Sequence, residues 1–117
     1  MQIPKPTDDD KDYFRGLVPD HPGVEVKPMF GNLGAFVNGN MFCGLFGKDV
    51  GVKLADRDRE GLLAEGGGPF GPEERPMAGY VTLPGAWRDR PGEAEPWVKR
   101  ALDHVGSFPP KVKKPKP

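Results

Sequence analysis

Asn38-Gly39, set between "AFV" (Ala35–Val37) and "NMF" (Asn40–Phe42), constrains the fold of this chain more than any other pair of residues. A two-residue type I′ turn needs positive φ at both central positions, and Asn followed by Gly accepts it at least cost. The pair predicts a tight antiparallel hairpin in which Val37 faces Asn40 and Phe36 faces Met41. The strand that leaves the turn, Met41 to Phe46, is apolar on both faces apart from Gly44. That is the pattern of a central strand.

The flanking sequence extends the sheet on both sides. Upstream, Val24 and Val26 alternate with Glu25 and Lys27, and Pro28, which has no N–H to give, marks an edge strand or a bend. Downstream, Gly47-Lys48-Asp49 turns the chain into "VGVKL", whose Val50, Val52 and Leu54 share one face. A last strand runs from Gly79 to Leu83 and is stopped by Pro84.

Three helices complete the pattern. Thr7 followed by Asp8, Asp9 and Asp10 reads as an N-cap with acidic residues in the first turn; Tyr13, Phe14, Leu17 and Val18 then share a face, and Pro19 ends the helix. Asp56 caps a short helix over "RDREGLLAE", with Leu62 and Leu63 facing inward and a stop at Gly66. Trp97, Val98, Ala101, Leu102 and Val105 mark a C-terminal amphipathic helix, with Pro91 and Pro96 placed at or before its first turn. The fold class that follows is α+β, an antiparallel meander sheet with N-terminal, middle and C-terminal helices packed against it.

Composition enters as a check on this scheme. The 17 glycines and 15 prolines among 117 residues reach a level that signals disorder when it lacks a period. Here they punctuate the ends of apolar runs, where turns need them. The length suits one domain, residues 1–110, whose core needs neither disulfide nor metal, followed by a basic Pro/Lys-rich tail over residues 111–117. Lys+Arg and Asp+Glu are both 17, so no broad field draws the chain to nucleic acid, and direct specific DNA binding is not expected. No run approaches the roughly 18 apolar residues of a membrane span. With one cysteine and no apolar leader in "MQIPKPTDDDKDYF", a cytoplasmic location is expected.

The residues that could carry chemistry are few. Cys43 lies between Phe42 and Gly44-Leu45-Phe46, neighbours that disfavour a thiolate by desolvation, and it reads as a core side chain. His21 and His104 do not have metal-site spacing. Gly66, Gly68 and Gly71 match G-x-G-x-x-G, but the match follows a helix, contains Pro69 and leads into more loop, so it is no dinucleotide fingerprint. The loop Gly66–Met77 is long for a compact domain, and Phe70, Arg75 and Met77 within it are the candidate interaction surface. The structural alternative is that Phe70 folds back onto the sheet while Arg75 neutralises Glu73 or Glu74. A further alternative is a small-molecule or enzymatic groove near Met29, Phe30, Arg75 and Met77.

Taken in order, "DHPGVEVKPMFGNLGAFVNGNMFCGLFGKDVGVKL", "LLAEGGGPFGPEERPMAGYVTLP" and "WVKRALDHVGSFPPK" resemble the TfoX N-terminal domain, the family of the TfoX/Sxy competence regulators. The likeness spans roughly residues 11 to 111 and is carried by "MFG", "FVNGNMF", "GGGPF" and "RPM.GYVTLP". It departs at "GPEERPM", where members more often have a Pro-Met-Gly-Arg-Pro-Met type of run. The resemblance implies an α+β domain and no catalytic residues or cofactor. In full-length regulators this domain precedes a helical second domain, and the two act with the cyclic-AMP receptor protein on DNA-uptake genes. The expectation for this chain is a stand-alone first module, non-enzymatic, that binds a protein partner or a second copy of itself.

Overall fold

The computed structural model describes residues 4–29, 31–72 and 76–109; Phe30, Arg75 and the basic tail lie outside the described residues. The element order is α1 (Asp8–Leu17), β1 (Val24–Met29), β2 (Asn32–Val37), β3 (Asn40–Phe46), β4 (Asp49–Lys53), α2 (Asp56–Ala64), β5 (Tyr80–Thr82), a 3-10 turn (Gly85–Asp89) and α3 (Pro91–Gly106). The five strands form one antiparallel sheet in the order β1-β2-β3-β4-β5, so the fold is the α+β meander that the pattern predicts.

The central hairpin forms as its turn residues require. Asn38 and Gly39 have φ of 52° and 80°, and Val37 pairs with Asn40 and Phe36 with Met41. Gly39→Val should therefore destabilise the domain by on the order of 1–3 kcal/mol, because a β-branched residue resists positive φ. A denaturation midpoint equal to that of the parent would contradict the turn.

One face of the sheet is covered by helices. Leu33, Ala35, Cys43, Leu45, Val50, Val52 and Val81 project from it into a core completed by Phe14 and Leu17 of α1, Leu62 of α2, and Ala94, Val98, Ala101, Leu102 and Val105 of α3. Between Phe36 and Ala35 the register with β3 shifts, leaving Phe42 as an extra residue, and both Phe42 and Cys43 are fully buried in this core. The carbonyl of Met41 at this bulge accepts a hydrogen bond from the Tyr80 hydroxyl at 2.8 Å.

The N-cap reading of Thr7 holds in full. Its hydroxyl accepts from the Asp10 amide at 3.1 Å, and the Asp10 carboxylate accepts from the Thr7 amide at 2.9 Å, forming a reciprocal capping box. The other carboxylate oxygen of Asp10 lies 2.9 Å from Arg88, whose guanidinium sits over the Tyr13 ring. The Thr7 amide and Arg88 hold the Asp10 carboxyl below its usual range, against the opposing effect of burial. A depressed folded-state pKa contributes stability that is complete above the unfolded-state value and is lost as pH falls through the folded one. Asp10→Asn should flatten that acid limb, and Asp10→Ala should cost about 1–2 kcal/mol at neutral pH. Identical stability–pH curves for parent and Asp10→Asn would remove Asp10 from the account.

Three local expectations are corrected. Ala55, not Asp56, is the N-cap of α2; Asp56 is the first helical residue and pairs with Arg59 one turn on. Leu62 is buried, but Leu63 is 49% exposed, since successive residues on a helix point about 100° apart and this short helix packs along one stripe only. Pro96 lies inside α3 rather than at its start. The missing donor falls opposite the carbonyl of Gly92, a water-exposed residue, and the buried stripe from Ala94 to Val105 outweighs one lost hydrogen bond.

Candidate functional site

The second face of the sheet is built differently from the helix-covered one. Gly34, Gly44 and Gly51 stand in register across β2, β3 and β4, with Thr82 of β5 continuing the row. Over this strip of bare backbone lies Phe70: a Cβ on Gly51 would come within 2.3 Å of its ring, and one on Gly44 within 3.2 Å. Phe70 is 3% exposed and packs edge-on to Phe46 and tilted against Tyr80, at ring-centre distances of 6.2 and 5.8 Å. Burial pushes the Tyr80 phenol up to about 12.

The loop reaches this position because the chain after α2 is tied to β5. The Gly68 amide donates to the Thr82 hydroxyl at 3.0 Å, its carbonyl accepts from the Thr82 amide at 2.8 Å, and Pro69 forms a bridge with Val81. This contact covers the outer edge of β5. Gly67 allows it, since any Cβ there would lie 2.7 Å from the Thr82 carbonyl oxygen. The glycine run thus serves close packing of backbone on backbone. Farther on, the Met77 amide donates to the Phe70 carbonyl at 2.8 Å and closes the neck of the loop.

Beside Phe70 the second face opens into an apolar groove of about 290 Å³. Gly44 and Leu45 contribute to its lining, and Met29, Met41, Met77, Phe46, Phe70 and Pro72 flank it. Three of the four methionines in the sequence meet here. The sulfurs of Met29 and Met41 both lie within 3.4 Å of the position a Cβ of Gly34 would take, so the two thioethers are neighbours. Asn32, the polar side chain of the lining, is spent in both directions: its Nδ2 donates to the Pro4 carbonyl at 3.1 Å and its Oδ1 accepts from the Gly47 amide at 2.8 Å. No charged side chain lines the groove among the described residues.

Of the candidate surface residues, Phe70 takes the structural alternative, folded back onto the sheet as the buried wall of the groove, while Met77 is half-buried at the loop neck and lines the same groove. Arg75 lies outside the described residues. The alternative groove near Met29 and Met77 coincides with the same place, and Phe30 again lies outside the described residues. Met41 and Phe46 were not singled out by sequence. The signal that could have found them is the hairpin register, which sets Met41 opposite Phe36 and leaves Gly44 between Met41 and Phe46.

Cys43 is on the other face, fully buried, and desolvation pushes its thiol well above the ordinary range. A charged thiol reagent should modify the native protein orders of magnitude more slowly than the unfolded chain. Equal rates would displace Cys43 from the core. Among the described residues no group of three or more His, Cys, Asp or Glu side chains could hold a metal ion.

The outer edge of β1 offers little to a further strand. The Val24 amide donates to the His21 carbonyl at 2.9 Å and Pro28 has no N–H; amides two residues apart point the same way, so Val26 is left as the single outward donor of this strand.

A family model for the TfoX N-terminal domain matches residues 16–105. The chain belongs to this family. No curated protein matches it. The matched span of this TfoX N-terminal domain runs from the end of α1 to the last turn of α3 and includes the whole sheet, the glycine row and the methionine groove. The TfoX N-terminal domain is not a known enzyme family. No described helix is long and apolar enough to cross a membrane.

Proposed function

We propose that this TfoX N-terminal domain is a non-enzymatic protein-interaction module of the cytoplasm, an accessory to transcription in the competence-regulator setting of its family, and that it meets its partner at the methionine groove. The observation that carries this reading is the chemistry of the groove. It is concave and apolar, its one polar side chain is satisfied internally, and no acid, base or nucleophile converges on it among the described residues. Flexible thioethers suit a surface that must adapt to another protein. The blunted edge of β1 weighs against strand addition, so the contact is made by side chains entering the groove. Phe70 shapes that surface from behind and Met77 lies at its mouth.

The test uses Met77→Asp, which places a charge at the groove, and Arg75→Ala, two positions earlier in the sequence. Binding of a partner purified from the native host should fall at least tenfold for Met77→Asp, with the melting temperature held within a few degrees of the parent. Unchanged binding by both variants would sink the interaction reading. Sedimentation of the chain alone, across a concentration series, shows whether the partner is a second copy.

A further inference from the structure

We infer that the methionine groove is also a receptor for a small, uncharged aromatic molecule of one or two fused rings, which would compete with the protein partner for the same surface. The inference rests on the groove being a binding site, as proposed above, and adds the class of ligand that regulates it.

Size sets the first limit. About 290 Å³ is at the lower end of small-molecule sites, so the occupant is compact. Polarity sets the second. The Asn32 amide is already bonded on both sides, and the remaining described lining is thioether, aromatic, aliphatic and glycine. Against these described residues a charged or strongly hydrogen-bonding ligand would lose its hydration without replacement.

The walls decide between flat aromatic and round aliphatic molecules. Thioethers from three separate segments, β1, β3 and the loop, border one space, and sulfur makes favourable contacts with aromatic ring edges. Phe46 and Phe70 add ring edges of their own, in the edge-to-face arrangement they already adopt with each other. The neighbouring part of the same sheet face shows what such a surface accepts, since the glycine row there is covered by the flat ring of Phe70. An inserted ring beside it would meet the same kind of surroundings.

The experiment is a titration of the full chain, labelled with ¹³C at the methionine methyl groups, with indole. Expected are saturable ring-current shifts at Met29, Met41 and Met77, at a Kd of about 1 mM or tighter. Cyclohexanol, a compact aliphatic control, should bind at least threefold more weakly, as should N-acetyltryptophanamide, whose two amides find no free partner among the described lining residues. Met77→Ile, which keeps the groove apolar but removes one thioether, should weaken indole at least threefold while leaving the backbone spectrum of the sheet in place. Absence of saturable methyl shifts overturns the inference. Equal affinity for cyclohexanol overturns the aromatic class, and tighter binding of N-acetyltryptophanamide assigns the groove to a partner's tryptophan instead. Indole binding together with unchanged partner binding by Met77→Asp would leave the ligand site standing and remove the interaction reading, so the two can fail separately.

Discussion

Gly51→Ala is expected to destabilise the domain by on the order of 2–4 kcal/mol, an unusually large effect for adding one methyl group. The added Cβ would lie 2.3 Å from two atoms of the Phe70 ring, far inside van der Waals contact. Either the ring is displaced or the strand and loop separate. If the ring leaves, the loss is bounded by the cost of deleting it, and Phe70→Ala should itself cost about 3–5 kcal/mol given its 3% exposure. The two substitutions therefore remove the same contact and should not add: the double variant should be less destabilised than the sum of the singles by at least about 1–2 kcal/mol. Urea or guanidinium midpoints of the four proteins measure this directly. Strict additivity would show that Phe70 does not lie on Gly51, and the groove beside it would lose its wall.

This arrangement bears on what the loop is for. A ring seated on a glycine row fixes the loop's first half, and the bond from the Met77 amide to the Phe70 carbonyl fixes its return. Met77, which lines the groove, is thereby held in place by the seated Phe70 and by its own amide. Substitutions at Phe70 will disturb both the fold and the surface, which makes Met77 the cleaner probe of binding.

Features set by neighbours in sequence were legible; those set by register across strands were not. Asn38-Gly39 names its own turn, Thr7 with Asp10 names its own cap, and Pro28 names an edge, because in each case the physical requirement is satisfied within about four residues. The glycine row is of the other kind. Gly34, Gly44 and Gly51 look like separate weak points in three strands until pairing places them side by side. The methionines behave similarly: Met29 and Met77 stand out in the motifs around them, whereas Met41 enters through its pairing with Phe36. Leu63 misled because a two-residue apolar run in a nine-residue helix says nothing about how wide the buried stripe is. Pro96 stands inside α3 because the packing of that helix overrides the residue's low propensity, which its neighbours in sequence do not reveal.

Phe42→Ala is expected to cost about 3–5 kcal/mol, and its particular interest lies in the bulge. Strict alternation along β3, counted back from Gly44, would put Phe42 on the glycine face with Gly44 and Phe46. Yet Phe42 and its neighbour Cys43 are both fully buried in the helix-covered core. Two successive residues can share a face when one is the unpaired extra residue of a bulge, and the register of Ala35 with Cys43 but Phe36 with Met41 leaves Phe42 in that position. The bulge thus moves a large ring out of the surface that forms the groove and into the main core. It leaves the Met41 carbonyl to be satisfied by the Tyr80 hydroxyl, and Tyr80 in turn packs against Phe70. Phe42→Ala should therefore lower the melting temperature by well over 10 °C, at about 4 °C per kcal/mol for a domain of this size, while leaving Met77 methyl signals nearly unshifted at temperatures where the protein is folded. A loss below about 1 kcal/mol would place Phe42 outside the core. A normal loss accompanied by large shifts at Met77 would place its ring on the glycine face, and the bulge would no longer explain why that face is open.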